Sequence, residues 1–113
     1  MHEYSIVQAL IERVDQEARA HGATRVHRVR VSIGELAGVE VGLLRTAFET
    51  FQQRTSCDGA ALDVRRVDAR WACARCGVAI APGSPLRCAA CGEPARLASG
   101  DEIMLDQIEM EAA

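Results

Sequence analysis

The sequence predicts an α+β fold, two helices on a small three-stranded sheet, with an inserted zinc-ribbon-like module. Three observations predict it. Apolar residues recur at helical spacing in two segments, and they alternate in strand fashion in others. Between these lies a stretch rich in Cys, Gly, Pro and Ala that carries two CxxC pairs. A last apolar segment then completes the interrupted pattern.

Residues 3–20 read as an amphipathic helix. Ile6, Leu10, Val14 and Ala18 fall at i+4 steps with Val7 and Ile11 beside them. His21-Gly22 supplies the stop, because glycine takes the left-handed position after a helix without a Cβ clash. Residues 25–33 read as a strand, with Val29, Val31 and Ile33 alternating with Arg28, Arg30 and Ser32. His27 shares the parity of the apolar set and reads as a strand residue, and His21 as a helix-end residue. Gly34-Glu35-Leu36-Ala37-Gly38 breaks the strand. Glu35 in that segment either faces a partner or caps backbone groups, and both readings stand.

A second helix is expected over 41–54, with Leu43, Leu44, Ala47, Phe48 and Phe51 on one face. Asp58-Gly59 signals a turn. Residues 60–68 read as a strand through Leu62 and Val64, and the blurred alternation at Arg65-Arg66-Val67 suggests a bulge. Residues 70–97 lose the long apolar periodicity and need a staple to fold. The final strand runs from Ile103 to Met110.

With 113 residues and 49% hydrophobic content the chain can hold one aliphatic core, since aromatics are only 4%. That apolar content excludes global disorder. No stretch approaches the roughly 20 consecutive apolar residues of a membrane span. The opening residues carry acids and no basic run, so no secretory signal is expected. The 13 basic residues, all Arg, face 16 acids for a net charge of −3, which is no footprint for nucleic acid. Five cysteines with tight paired spacing fit a reducing, cytoplasmic setting and a metal site.

The quartet is Cys73-Ala74-Arg75-Cys76-Gly77 and Cys88-Ala89-Ala90-Cys91-Gly92. Two residues between cysteines let both thiolates meet one ion while backbone N–H groups turn toward the sulfurs. The following glycine relieves the turn. Four thiolates form a closed tetrahedral shell, the pattern of structural zinc, with iron as the nearest chemical rival. The paired spacing favours this over two disulfides or two redox motifs. Pro82-Gly83-Ser84-Pro85 suits a turn between the pairs. Cys57 stands apart and reads as a partly buried free thiol. No nucleophile–base pair and no open metal position is visible, so the chain reads as a non-enzyme.

The chain begins Met1-His2-Glu3. A second-position histidine is ordinarily a solvated residue. The chemistry offers another reading: the amine, the His2 backbone nitrogen and the His2 imidazole can close fused chelate rings. Such a planar, nitrogen-rich set suits Ni(II) or Cu(II) and not tetrahedral zinc.

Together, Met1-His2-Glu3 opening a helix, the Ile33–Val39 segment, the Ala47-Phe48-Glu49 helix and the paired CxxCG module resemble the HypA/HybF family. The resemblance covers essentially the whole chain. It implies a nickel metallochaperone for maturation of [NiFe] hydrogenase, with nickel at the N-terminus and structural zinc in the Cys-rich module. By resemblance, nickel falls on Met1 through its amine, on His2 through imidazole and backbone, and on Glu3 through its backbone nitrogen. Zinc falls on Cys73, Cys76, Cys88 and Cys91. Glu40 matches an acidic position implicated in some relatives; its other reading is a helix N-terminal carboxylate. The implied partners are the GTPase HypB and a hydrogenase large-subunit precursor. The corresponding division is a nickel-binding α/β domain of residues 1–69 plus 101–113 and a zinc-binding module of 70–100, in a monomer or homodimer. The alternative is a zinc-ribbon module binding nucleic acid or a transcription partner, supported by six Arg against Asp68 and Glu93 over residues 65–96.

Overall fold

A computed structural model describes residues 2–112. Its elements are α1 (His2–Ala20), β1 (Ala23–Gly34), α2 (Val41–Phe51), β2 (Ala61–Val67), β3 (Arg70–Cys73), β4 (Ala79–Ile80), β5 (Ala95–Ser99) and β6 (Ile103–Ala112). They form two three-stranded sheets, ordered β2-β1-β6 and β4-β3-β5. In the first, β1 lies parallel to β2 and antiparallel to β6. The last strand of the chain therefore returns to complete a sheet begun before the cysteine segment. No helix among the described residues is long and apolar enough to cross a membrane.

The core lies between the helices and the first sheet. Val7, Ile11, Val14 and Ala18 of α1 meet Leu44, Ala47 and Phe48 of α2 and Val26, Val29, Val31 and Ile33 of β1. No residue of β3, β4 or β5 joins this cluster. The molecule is elongated accordingly, 57 × 27 × 17 Å, with a radius of gyration of 18.0 Å. A compact chain of this length would have about 13 Å.

Four local expectations shift. The buried face of α1 is Glu3, Val7, Ile11, Val14 and Ala18, while Ile6 and Leu10 are only half-buried at its flank. The helix packs on both α2 and the sheet, which rotates its stripe toward the side where Glu3 finds a partner. His27 is exposed rather than inward, because the β1–β6 register shifts between Val26 and Arg28. Its ring meets the Glu111 carboxylate at 3.2 Å. The bulge expected at Arg65-Arg66-Val67 is absent: these residues pair in step with Ser32, Ile33 and Gly34. Arg66 keeps the core-side parity yet is exposed, which blurred the alternation. Finally, α2 stops at Phe51 instead of 54 because Gln52 caps it and turns its buried amide onto the carbonyls of Cys57 (2.7 Å) and Ala60 (3.2 Å).

The outer face of the first sheet carries a charge ladder. Arg28 and Arg30 lie between Asp63 on one side and Glu109 on the other, at 2.9 to 3.5 Å. All four side chains are roughly half exposed, so the ladder adds little stability.

Candidate metal centres

The two cysteine knuckles repeat one backbone design. The Cys73 N–H donates to the Val78 carbonyl (2.9 Å), and the Cys88 N–H donates to that of Glu93 (2.8 Å). Gly77 N–H returns to the Cys73 carbonyl (3.0 Å), as Gly92 N–H does to Cys88 (2.8 Å). Both glycines have φ near +75°, at +74° and +77°. Strand β3 delivers Cys73, and the Arg87–Pro94 bridge frames the second knuckle.

The four Sγ atoms lie within 4.8 Å of one another. Cys91 Sγ is 3.5 Å from Cys73 Sγ and 3.4 Å from Cys76 Sγ. Zinc–sulfur bonds of about 2.3 Å place tetrahedral sulfurs about 3.8 Å apart, so one ion fits this cluster. No two of these sulfurs are bonded as a disulfide. Backbone N–H groups of Cys76 (3.2 Å) and Arg75 (3.3 Å) point at Cys73 Sγ. They hold the Cys73 thiol down at about 6. Cys76, against the sulfurs of Cys91 and Cys73, is pushed up to about 12. Four such thiols cannot all ionise together without a counter-charge, and a divalent cation supplies it. Cys73, Cys76, Cys88 and Cys91 thus suit a closed structural zinc site, which would fold the module and leave no position open for catalysis.

The N-terminal site is built differently. Met1 lies outside the described residues. His2 is exposed at the head of α1, where the first four N–H groups of a helix have no intrahelical acceptor. Glu3 is 9% exposed, and its carboxylate accepts from the Glu40 N–H at 3.0 Å. That N–H holds the Glu3 carboxyl below the usual carboxylate range. Glu40 in turn caps α2, accepting from the N–H groups of Gly42 (3.2 Å) and Leu43 (2.7 Å). Both carboxylates are therefore engaged with backbone, and the helix N-terminal reading of Glu40 is the one the geometry matches. Among the described residues, the cysteine quartet is the one cluster of three or more His, Cys, Asp or Glu side chains tight enough for an ion.

Cys57 is fully buried, and burial pushes its thiol up to about 11. It is an inert core thiol. Gln52 and Glu35 are the structural side chains whose roles sequence reasoning left unplaced. Glu35 accepts from the Ala69 N–H at 2.8 Å.

Residues 1–110 match the family model described as "Hydrogenase/urease nickel incorporation, metallochaperone, hypA". The chain belongs to the HypA family. That family is one of metallochaperones, not enzymes. Among its curated relatives is a hydrogenase maturation factor HypA of Shewanella oneidensis, 43% identical over 115 residues, covering 100% of this chain and 98% of the relative. A HypA of Nitrosospira multiformis is 38% identical over 112 residues, covering 97% of each. The solution structure of the Ni metallochaperone HypA from Helicobacter pylori superposes with a TM-score of 0.75 at 30% identity, covering 98% of both chains. A second HypA solution structure gives a TM-score of 0.83 at 32% identity, covering 100% of this chain and 98% of that one.

Proposed function

We propose that this protein is a nickel metallochaperone that binds Ni(II) at its N-terminus and delivers it for [NiFe] hydrogenase maturation, with structural zinc in the cysteine module. The family match over residues 1–110 carries this reading. The ligands are the Met1 amine, the imidazole and backbone nitrogen of His2, and the backbone nitrogen of Glu3. Nickel is cargo here, so a site beside the exposed His2 at the head of α1 suits both uptake and release. The positive end of α1 repels a bare cation but favours deprotonated amide nitrogens. That balance supports a planar nitrogen set over a carboxylate cage, and the engagement of Glu3 and Glu40 with backbone supports it further. Raw affinity ranks Cu(II) above Ni(II) at such ligands, so selectivity comes from metal availability and partner docking.

The units that follow are a nickel-binding part of residues 1–69 with 101–113, and a zinc-binding part of 70–100. The partners are the GTPase HypB and a hydrogenase large-subunit precursor, and the setting is the cytoplasm. The net charge of −3 and the family match both weigh against the nucleic-acid alternative.

Titration of the untagged, zinc-loaded protein with nickel tests the reading. His2→Ala keeps its zinc and loses nickel, and an N-terminal extension does the same. Nickel affinity falls as pH drops below neutrality, because protons compete for the amine and imidazole. Unchanged nickel binding in His2→Ala overturns the site.

A further inference from the structure

Two short linkers join the sheets, Asp68-Ala69 after β2 and Gly100 to Glu102 before β6. Both pass the end of β1, where the backbones crowd together. A Cβ on Gly34 would lie 2.2 Å from the carbonyl carbon and oxygen of Gly100. A Cβ on Gly100, at φ +112°, would lie 2.5 Å from the Ala69 Cα. Only glycine at both 34 and 100 lets these two backbones and that of Ala69 stack this closely.

The segment Gly34-Glu35-Leu36 bonds to both linkers or their ends. Gly34 N–H donates to the Glu102 carbonyl (2.7 Å), Glu35 N–H to that of Val67 (2.8 Å), and Leu36 N–H to that of Gly100 (2.6 Å). The Glu35 carboxylate adds the one side-chain link from this segment, accepting from Ala69 N–H at 2.8 Å. Ala69 is the residue immediately before β3, the central strand of the cysteine sheet. Because the second sheet contributes nothing to the main core, its orientation is not set by apolar packing.

We propose that Glu35 is a positioning residue, a latch that holds the cysteine module in one orientation against the first sheet by accepting the Ala69 N–H. The two glycines bring the linkers within its reach, and the carboxylate fixes the pivot. The latch rests on main-chain and side-chain geometry alone and is independent of nickel binding.

The test uses the full-length, zinc-loaded protein by NMR. In Glu35→Ala the Ala69 amide exchanges about tenfold faster, the loss of one charge-assisted hydrogen bond. Residual dipolar couplings that fit one alignment tensor for both sheets in the parent protein then require two. Glu35→Gln rescues both readouts, since its side-chain carbonyl still accepts. The Glu40 amide, held by Glu3, serves as the internal control and stays within twofold. If Glu35→Ala folds poorly, Glu35→Asp, one methylene short of Ala69, gives the same pattern as Ala. Unchanged Ala69 exchange in the shortened variants, a failed rescue by Gln, or independent tensors already in the parent protein each overturn the latch.

Discussion

The two sheets of this molecule are alike in strand number and opposite in what holds them. The first buries a continuous aliphatic cluster beneath two helices, with Phe48, Leu44 and several valines fully enclosed. The second buries Cys73 and Cys88 but leaves Val78 and Leu86 more than half exposed. A sheet of this size without a buried apolar face cannot stand alone in water. The lesson is that one chain can use area-driven burial in one half and metal–thiolate coordination in the other, so the halves should respond to different insults.

Metal removal should give the largest effect. A chelator strong enough to strip zinc, or Cys73→Ala, is expected to melt β3–β5 while the helix-covered sheet persists. Structural zinc contributes apparent free energies of about 10–16 kcal/mol in small zinc-finger peptides. Amide exchange along the chain reads the outcome, and simultaneous loss of β1 protection would break the contrast. The reverse insult comes next. Phe48→Ala is expected to cost the first region about 3–5 kcal/mol through its cavity, while zinc stoichiometry stays at one per chain. Urea unfolding with parallel metal analysis checks it.

A smaller loss sharpens the assignment of Glu40. Glu40→Ala removes the acceptor for two α2 N–H groups and should cost about 1 kcal/mol. Nickel affinity should stay within about twofold by calorimetric titration; a large drop would make Glu40 a ligand. The smallest effect belongs to the charge ladder. The Arg28 hydrogen bond holds the Asp63 carboxyl below its ordinary value. A depressed folded-state value means that its stabilising contribution is present above the unfolded-state pKa and disappears as pH falls through the folded one. The urea midpoint of the parent protein should therefore exceed that of Asp63→Asn near neutrality, and the gap should close in acid.

Much of this was legible in the residue string because the signals are local. Helical spacing placed α1 and α2, alternation placed β1 and, in part, β2, and a last apolar segment after Gly100 placed β6. The CxxCG pairs placed the sulfur cluster, since two such pairs with matched glycines favour two knuckles around one ion. The failures were of another kind. His27 shares the parity of the apolar set, and one irregularity in pairing with β6 turns it outward. The exact face of α1 depended on what α2 and β1 offered to each side. Glu35 reads equally as a partner contact or a backbone cap, and its acceptor role at Ala69, 34 residues away, settles only in the folded chain.

The sequence by itself determined the two helices, the three strands of the first sheet, four paired cysteines suited to one ion and an opening Met1-His2-Glu3 suited to planar nitrogen chelation. Covalent geometry over a few residues is enough for each of these. Tertiary structure alone decided that the Glu3 carboxylate holds Glu40, that Glu35 reaches Ala69, and that two sheets meet over stacked glycines. Those pairings join segments far apart along the chain, and only the folded backbone brings their donors and acceptors within hydrogen-bond reach.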